Sequence, residues 1–407
     1  MTVEMSVLFV NYNTWRECAN AIYSLLRNPP TRDDGSPMPF ECIVVDNASP
    51  LRDEEGIESL QDALDRVRRA MGDESAGQLI LHPTNSGYSK GVNLCFRRSR
   101  GRWILVSNPD LLFTPGLIDR LRCALQTVPG AGCTVPKGFW DADFMGRLPP
   151  NIMPTLGDLF WNAAGEYSRS LSRRYSLWLA KDAAATWLDE SPRPLRMMSG
   201  CLFLIERAFF EELGLMDERF PLYYEDADLS LRIRRKGRTV LQVPGAHLIH
   251  YVNRSGQTDE ATVMRRHDES RRIYYRKWYG LPGYWLLRLE EWLMRSPRLS
   301  HLRREPPHGT YIDLGASPHR PRIVLPRRCE RFLLQMSLDS RFYLSGGLLG
   351  TGSEWTPTDN MYWNFGPTTY WYRAFDLSQG KFEQIGVWRY RCTKGLGQAP
   401  ALARDRA

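Results

Sequence analysis

Carboxylates are the residues of this chain best suited to do chemistry. "FPLYYEDADLSLRIRRKG", Phe220 to Gly237, places Glu225, Asp226 and Asp228 within four residues, behind Tyr223 and Tyr224 and ahead of a helical pattern with a basic face. Like charges this close repel, so a helix N-terminus, arginines, a metal ion or a substrate proton must offset them. A general base needs hydrogen-bond reach to a hydroxyl and a suitable pKa, and this cluster is where one would be sought. "SNPD" sets Asn108 and Asp110 just past an apolar run. Oxygen donors there suit Mg2+ or Mn2+ shared with substrate phosphates, although an Asp capping the turn would look the same. Asp46 closes "ECIVVD", where an acid accepts hydrogen bonds from a base N–H or a ribose hydroxyl, or simply caps the turn of "DNASP". "NSGYSKGVN" carries Gly87 and Gly91 with Asn85 and Asn93. Such a loop lets backbone approach a phosphate, but it is neither a Walker loop nor GxGxxG. His247 and His250, three apart on a strand, face opposite sides.

The elements that must hold these residues are set by hydrophobic spacing. "SVLFV", "ECIVVD", "QLILH" and "WILVSN" are apolar, strand-like runs. Helical patterns alternate with them: Thr14 to Leu26, Gly56 to Met71, a short one around Val92 to Phe96, and one that Pro115 opens. This alternation implies a parallel sheet covered by helices on both faces. Ligands of such sheets collect beyond the carboxyl ends of the strands, and all four runs end there in polar, turn-capable residues: "NYN", "DNAS", "HPTNSGYSKGVN" and "SNPD". Residues 138–194 are less regular and read as a partly helical insertion lining a cleft. "CLFLI" and "TVLQVPGAHLIH" are further strands, the second leaving through Pro244.

Seven motifs occur in order: "SVLFVNYN", "CIVVDNAS", "NSGYSKGVN", "SNPD", "SGCLFLIERAFFEELG", "MDERFPLYYEDADLSLRIRRKG" and "VPGAHLIH". Over roughly residues 4–280 they resemble the family 2 glycosyltransferases, particularly the rhamnosyltransferase-like branch. The resemblance implies the α/β nucleotide-sugar transferase fold called GT-A, and inverting sugar transfer from a nucleoside diphosphate sugar of UDP or dTDP. Carried over by position, it makes Val10, Asn11 and Asn13 the start of the nucleotide pocket, Asp46 the base or ribose contact, and Asn85 and Gly87 the pocket wall. Asn108 and Asp110 match the metal-binding pair, with Asp110 the ligand of Mg2+ or Mn2+; many relatives have Asp where Asn108 stands, and an amide coordinates more weakly. His250 matches a second metal ligand and Asp226 the general base. Glu225 becomes its neighbour in the acceptor pocket with Tyr223 and Tyr224, and Asp228 the cap of the following helix, with Arg232 at pairing distance one turn on. The acceptor would be a saccharide or lipid-linked saccharide of cell-surface polysaccharide assembly.

The 407 residues leave room beyond such a domain. The boundaries read as 1–255 catalytic, 256–305 a basic helical extension, 306–395 a small β-rich domain entered by a linker, and 396–407 a disordered tail. From Arg265 to Arg304 eleven Lys or Arg stand against four acids, interleaved with Trp278, Trp285 and Trp292. This suits either an anionic membrane surface or a helical pair packed on the core. No run approaches the roughly 18 apolar residues of a membrane span, no leader is recognisable, and the eight cysteines form no CxxC pair. The expected location is therefore cytoplasmic, optionally at the inner membrane face. The net charge of +8 permits a nucleic-acid partner, but the acidic rim argues against one. A non-catalytic carbohydrate-binding or scaffold protein on the same fold is the alternative reading.

Overall fold

In the computed structural model, residues 2–250, 260–303 and 310–395 are described. The first third alternates as expected: β1 (Met5–Asn11), α1 (Trp15–Arg27), β2 (Phe40–Asp46), α2 (Glu54–Met71), β3 (Gly77–Leu81), α3 (Tyr88–Arg98), β4 (Trp103–Ser107), β5 (Leu111–Phe113), α4 (Leu117–Thr127) and β6 (Ala131–Phe139). The insertion holds α5 (Leu156–Tyr167), α6 (Arg169–Leu188) and β7 (Arg193–Leu195). β8 (Leu202–Glu206), α7 (Arg207–Glu212), α8 (Glu225–Arg235) and β9 (Thr239–His250) come next, then α9 (Glu260–Arg295). The last part is β10 (Ile312–Ser317), β11 (Ile323–Ser337), β12 (Gly346–Trp355), α10 (Asp359–Tyr362), β13 (Thr369–Asp376) and β14 (Glu383–Cys392).

The large sheet runs β3-β2-β1-β4-β8-β6-β9-β5, with β7 added to β9. Its first four strands are parallel, so the ends of β1 to β4 share one rim. β8 turns antiparallel between β4 and β6, which makes the sheet mixed. Cys42, Cys95 and Cys201 are buried as small core residues. One face packs on α1, α2 and α4 through residues such as Phe9, Ile22, Leu64 and Leu121. The other packs on α3, α7 and α8 through Val45, Phe96, Phe210 and Leu229.

Two local expectations change, and the basic segment takes a definite form. Pro115 does not open α4: Gly116, at φ 69°, stands before the helix, which starts at Leu117. β9 does not leave through Pro244. It continues to His250 across a register shift against β6, where a bulge accommodates the missing N–H. The basic segment is a helical pair packed on the core, because Gly280 (φ 65°, ψ −160°) breaks α9 into two arms. Arg271–Glu290 and Arg272–Glu291 tie the arms together, and Tyr274 and Tyr275 are buried against the segment before α5.

The C-terminal strands form a second sheet, β10-β14-β13-β11-β12, though not as a detached appendage. Trp140 of the catalytic part belongs to its core with Phe332 and Trp388. Arg147 and Gly347 exchange backbone hydrogen bonds, and α6 packs on Leu333 and Phe375. The start of the expected linker and the expected tail, 396–407, lie outside the described residues.

Candidate active site

The rim is assembled by side chains that bind one loop to the next. At the end of β1, Asn11 is fully buried and donates to Asp46 Oδ1 at 2.8 Å, while its oxygen accepts from Thr14. Ser49 donates to Asp46 Oδ1 at 2.5 Å and accepts from the Asn13 N–H; Asn13, at φ 59°, accepts from Leu51 N. Asn11 therefore positions Asp46 and does not itself face a pocket. Val10 is also turned inward, against Gly91, where any Cβ would lie 2.8 Å from its methyl.

Asn47, which the sequence did not single out, ties this loop to the glycine loop. Its Nδ2 donates to Asn85 Oδ1 at 3.0 Å and to the Gly87 carbonyl, and its Oδ1 accepts from Ser86 N. Gly87 precedes α3 at φ 93°, and an added Cβ would sit 2.7 Å from the Pro221 carbonyl. Both its torsion and its packing require glycine. Arg266, from the start of α9, reaches Asn85 Oδ1 at 2.7 Å and its carbonyl at 3.1 Å.

The two acidic centres flank the turn before β8. Asn108 N donates to the Cys201 carbonyl at 2.7 Å, which lays "SNPD" beside Ser199–Cys201. Asp110 and His250 are both buried, with Nε2 3.1 Å from Oδ1. Burial alone would lower the His250 pKa, but Asp110 beside it raises it well above the usual value. His247 points the other way, against the rings of Phe139 and Phe144, which leaves His250 as the rim histidine. A carboxylate and an imidazole suit a divalent ion that takes its remaining ligands from phosphate oxygens and water; among the described residues no group of three or more His, Cys, Asp or Glu is arranged for a metal.

Across the turn, Asp226 Oδ2 accepts from Gly200 N at 3.2 Å and from Asn151 Nδ2 at 3.4 Å, and Oδ1 accepts from Ala227 N. No ion pair engages Asp226 among the described residues. Burial raises its pKa to about 6 against the opposing backbone hydrogen bonds. Tyr223 and Tyr224 lead into α8 with φ of 65° and 66°, a conformation that costs a non-glycine residue about 1–2 kcal/mol. The Tyr224 ring packs on Tyr274 and His267, while Tyr223 stays exposed on the rim.

Two expectations for this helix are corrected. Asp228 is not its cap: α8 begins at Glu225, and Asp228 lies a turn inside, bonded to Arg232 and Trp278 at 2.8 Å each and to Lys277. Glu225 does not stand open on the rim as Tyr223 does. It is buried, Oε2 has no partner among the described residues, and burial followed by repulsion from Asp226 holds its pKa well above normal.

A family model described as "Glycosyl transferase family 2" matches residues 6–214. The N-acetylglucosaminyl-diphospho-decaprenol L-rhamnosyltransferase of Mycobacterium tuberculosis is 30% identical over 220 residues, which is 50% of this chain and 66% of that protein, slightly under two thirds of its length. An uncharacterized protein, y4gI, of Sinorhizobium fredii is 25% identical over 275 residues, 64% of this chain and 27% of its own. Among solved structures, the mannosyltransferase PcManGT of Pyrobaculum calidifontis, in complex with GDP-Man and Mn2+, is similar with a TM-score of 0.42 at 15% identity, covering 74% of this chain and 73% of that one.

Proposed function

We propose a reaction for this chain from one premise: it belongs to glycosyl transferase family 2. It is a glycosyltransferase with the GT-A fold. It moves a sugar from a nucleoside diphosphate sugar, dTDP-rhamnose or a UDP-sugar, to a hydroxyl of a saccharide or lipid-linked saccharide in polysaccharide assembly. The relationship to a rhamnosyltransferase acting on a diphospho-decaprenol sugar supports this choice. The observation that carries it is Asp226: a carboxylate raised to about 6 and held by neutral donors from Gly200 and Asn151.

In this reading Asp226 takes the proton of the acceptor hydroxyl as its oxygen attacks the anomeric carbon. The bond from that carbon to the diphosphate oxygen breaks on the opposite face, and the electron pair leaves with the nucleotide, inverting the centre. Asp46 contacts the base or ribose, with Asn13, Asn85, Gly87 and Asn108 around the donor. Asp110 and His250 would hold a divalent ion, Mg2+ or Mn2+, which supplies charge stabilisation to the leaving diphosphate. Asp110 holds His250 in place for that role.

The membrane face of the same reading lies on the second arm of α9. Leu281, Trp285, Leu289 and Trp292 recur at helical spacing with exposures of 59%, 65%, 50% and 55%. Arg276, Arg288 and Arg298 belong to the same hairpin and its exit. Tryptophan and leucine flanked by arginine suit an anionic bilayer surface, which would bring a lipid-linked acceptor to the rim. Among the described residues no helix is long and apolar enough to cross a membrane.

The test incubates the full chain and Mn2+ with dTDP-L-rhamnose or UDP-sugars and a short-chain diphospholipid N-acetylglucosamine. Nucleoside diphosphate release and the product's anomeric configuration are followed by NMR. Retention of the donor's configuration, or no release from any donor, would overturn the reading. Sedimentation with anionic liposomes at low salt tests the surface; no binding sinks the membrane contact.

A further inference from the structure

Behind Asp226 lies a cavity of about 310 Å3 between the insertion helices and the sheet, at the lower end of the range of about 300–1,000 Å3 common for small-molecule sites. β6 and β9 supply Lys137 and Gln242, α6 supplies Trp178 and Trp187, and the loops beside Asp226 supply Asn151 and Ser199. Three features of this lining point to a ligand.

Gln242 is only 9% exposed, and its Oε1 has no hydrogen-bond partner among the described residues. An unsatisfied buried acceptor is destabilising, a deficit that a ligand hydroxyl removes. Trp178 ends a ladder of parallel rings: Trp161 on Tyr175 at 5.7 Å, and Tyr175 on Trp178 at 6.1 Å. It remains half-exposed at the cavity wall. The ladder holds the indole in place, and its electron-rich face complements the C–H face of a pyranose ring. Asn151 lines the cavity and also reaches Met198 O at 2.8 Å and Asp226 Oδ2 at 3.4 Å. The cavity thus ends one side chain from the carboxylate.

Three of the five charged groups of the lining are engaged, and the other two, Asp182 and Arg196, are exposed and of opposite sign. Lys137 donates to the carbonyls of Trp187 and Asp189, Arg193 pairs with Asp189, and Asp158 accepts from Thr155 and Tyr175. Beside these, the polar edge offers the Oδ1 of Asn151, the unpartnered Oε1 of Gln242 and the hydroxyl oxygen of Ser199, whose proton goes to Cys201 Sγ at 3.1 Å.

We propose that this cavity is the acceptor subsite and that it takes a neutral pyranose, stacked on Trp178 and hydrogen-bonded by Gln242, with a hydroxyl turned past Asn151 toward Asp226. The proposal rests on the reading of Asp226 as the base. Saturation-transfer NMR on the full chain tests it, with methyl glycosides of N-acetylglucosamine, rhamnose, galactose and mannose, and methyl glucuronide as the charged control. At least one neutral glycoside is expected to bind. Its affinity should fall at least tenfold in Trp178→Ala and severalfold in Gln242→Leu, with dTDP or UDP binding unchanged in both. The subsite is refuted if no neutral glycoside binds the wild type, if binding survives both variants, or if the glucuronide binds equally well. Sugar transfer with unaltered acceptor KM in both variants would also refute it while leaving the transferase reading intact. Glycoside binding that the variants abolish, in a protein that releases no nucleotide from any donor, would support the subsite and count against the donor assignment instead.

Discussion

Asp226 and Asp228 stand two residues apart on α8 in opposite surroundings. Asp228 is fully buried and meets Arg232, Lys277 and Trp278. Lys277 also pairs with Asp217, which in turn holds Arg219. Burial would raise the Asp217 pKa, but hydrogen bonds from Arg219 and Lys277 lower it overall. Asp226 meets only neutral donors and is raised to about 6. Buried carboxylates with cations at hand are committed to structure. One held ionisable near neutrality at a rim can exchange a proton with something else. The contrast divides one acidic cluster into a clamp that fastens α9 to α8 and a group available for chemistry.

The strongest attempt to break this division is Asp226→Asn. Sugar transfer should fall by about 10³-fold, within the range of about 10²–10⁴ ascribed to general bases, while thermal shifts with dTDP or UDP remain as in the wild type. Turnover near the wild-type rate would remove Asp226 from the chemistry. Asp228→Ala should act the other way. Removing one partner of a buried ion network costs about 3–5 kcal/mol, and because Lys277 keeps Asp217, about 3 kcal/mol is expected in urea unfolding. Turnover per folded molecule should change less than twofold. A catalytic loss without a stability loss would mean that the clamp belongs to the site.

The reason Asp228 looked like a cap from sequence is instructive. A cap is a local feature, and locally an acid near a helix start fits one. Its true partners Lys277 and Trp278 lie 49 and 50 residues away, so no window around α8 shows them. Arg232, four residues on, was legible for the same reason. The rim itself was legible because β1, β2 and β4 are short buried apolar runs that stop in or just before Asn or Asp, and parallel pairing then aligns the stops with the end of β3. The insertion was not. α6 buries Ser172, Ser176 and Thr186 beside Tyr175, Leu179, Ala183 and Trp187 and leaves Trp178 half-exposed, because the second sheet covers it as well, and this blurs the single apolar stripe that marks a surface helix. The fusion of the C-terminal sheet to the catalytic part was hidden likewise, since Trp140 and Gly346 meet across about half the chain.

A pH profile sharpens the comparison at smaller cost to the molecule. Asp226 must be ionised to accept a proton, so kcat/KM should rise tenfold per unit up to about pH 6 and level off above it. Stability moves in the opposite sense for this group. A carboxyl raised in the folded state binds more protons there than in the unfolded chain, so its contribution falls as pH rises from about 4 to about 6. Asp217, lowered in the folded state, contributes stability that is present above its unfolded value and lost on acidification below it. An acid limb absent from the profile of the chemical step would contradict the assignment of Asp226.

Glu225→Gln should have the smallest effect, and it separates two accounts of why Asp226 is raised. Glu225 is buried beside Asp226, and burial first and Asp226 second hold its pKa well above normal, which favours its neutral form. Glutamine keeps its size and neutrality, and burial alone then sets the Asp226 pKa. Activity at pH 8 should stay within about threefold of wild type, and the acid limb should move by less than about 0.3 unit. Were Glu225 ionised instead, its charge would be part of what raises Asp226, and glutamine would drop the limb by a unit or more, about 1.4 kcal/mol of lost repulsion. A shift of that size would make the two carboxylates a proton-sharing pair, and the contrast would then run between that pair and Asp228.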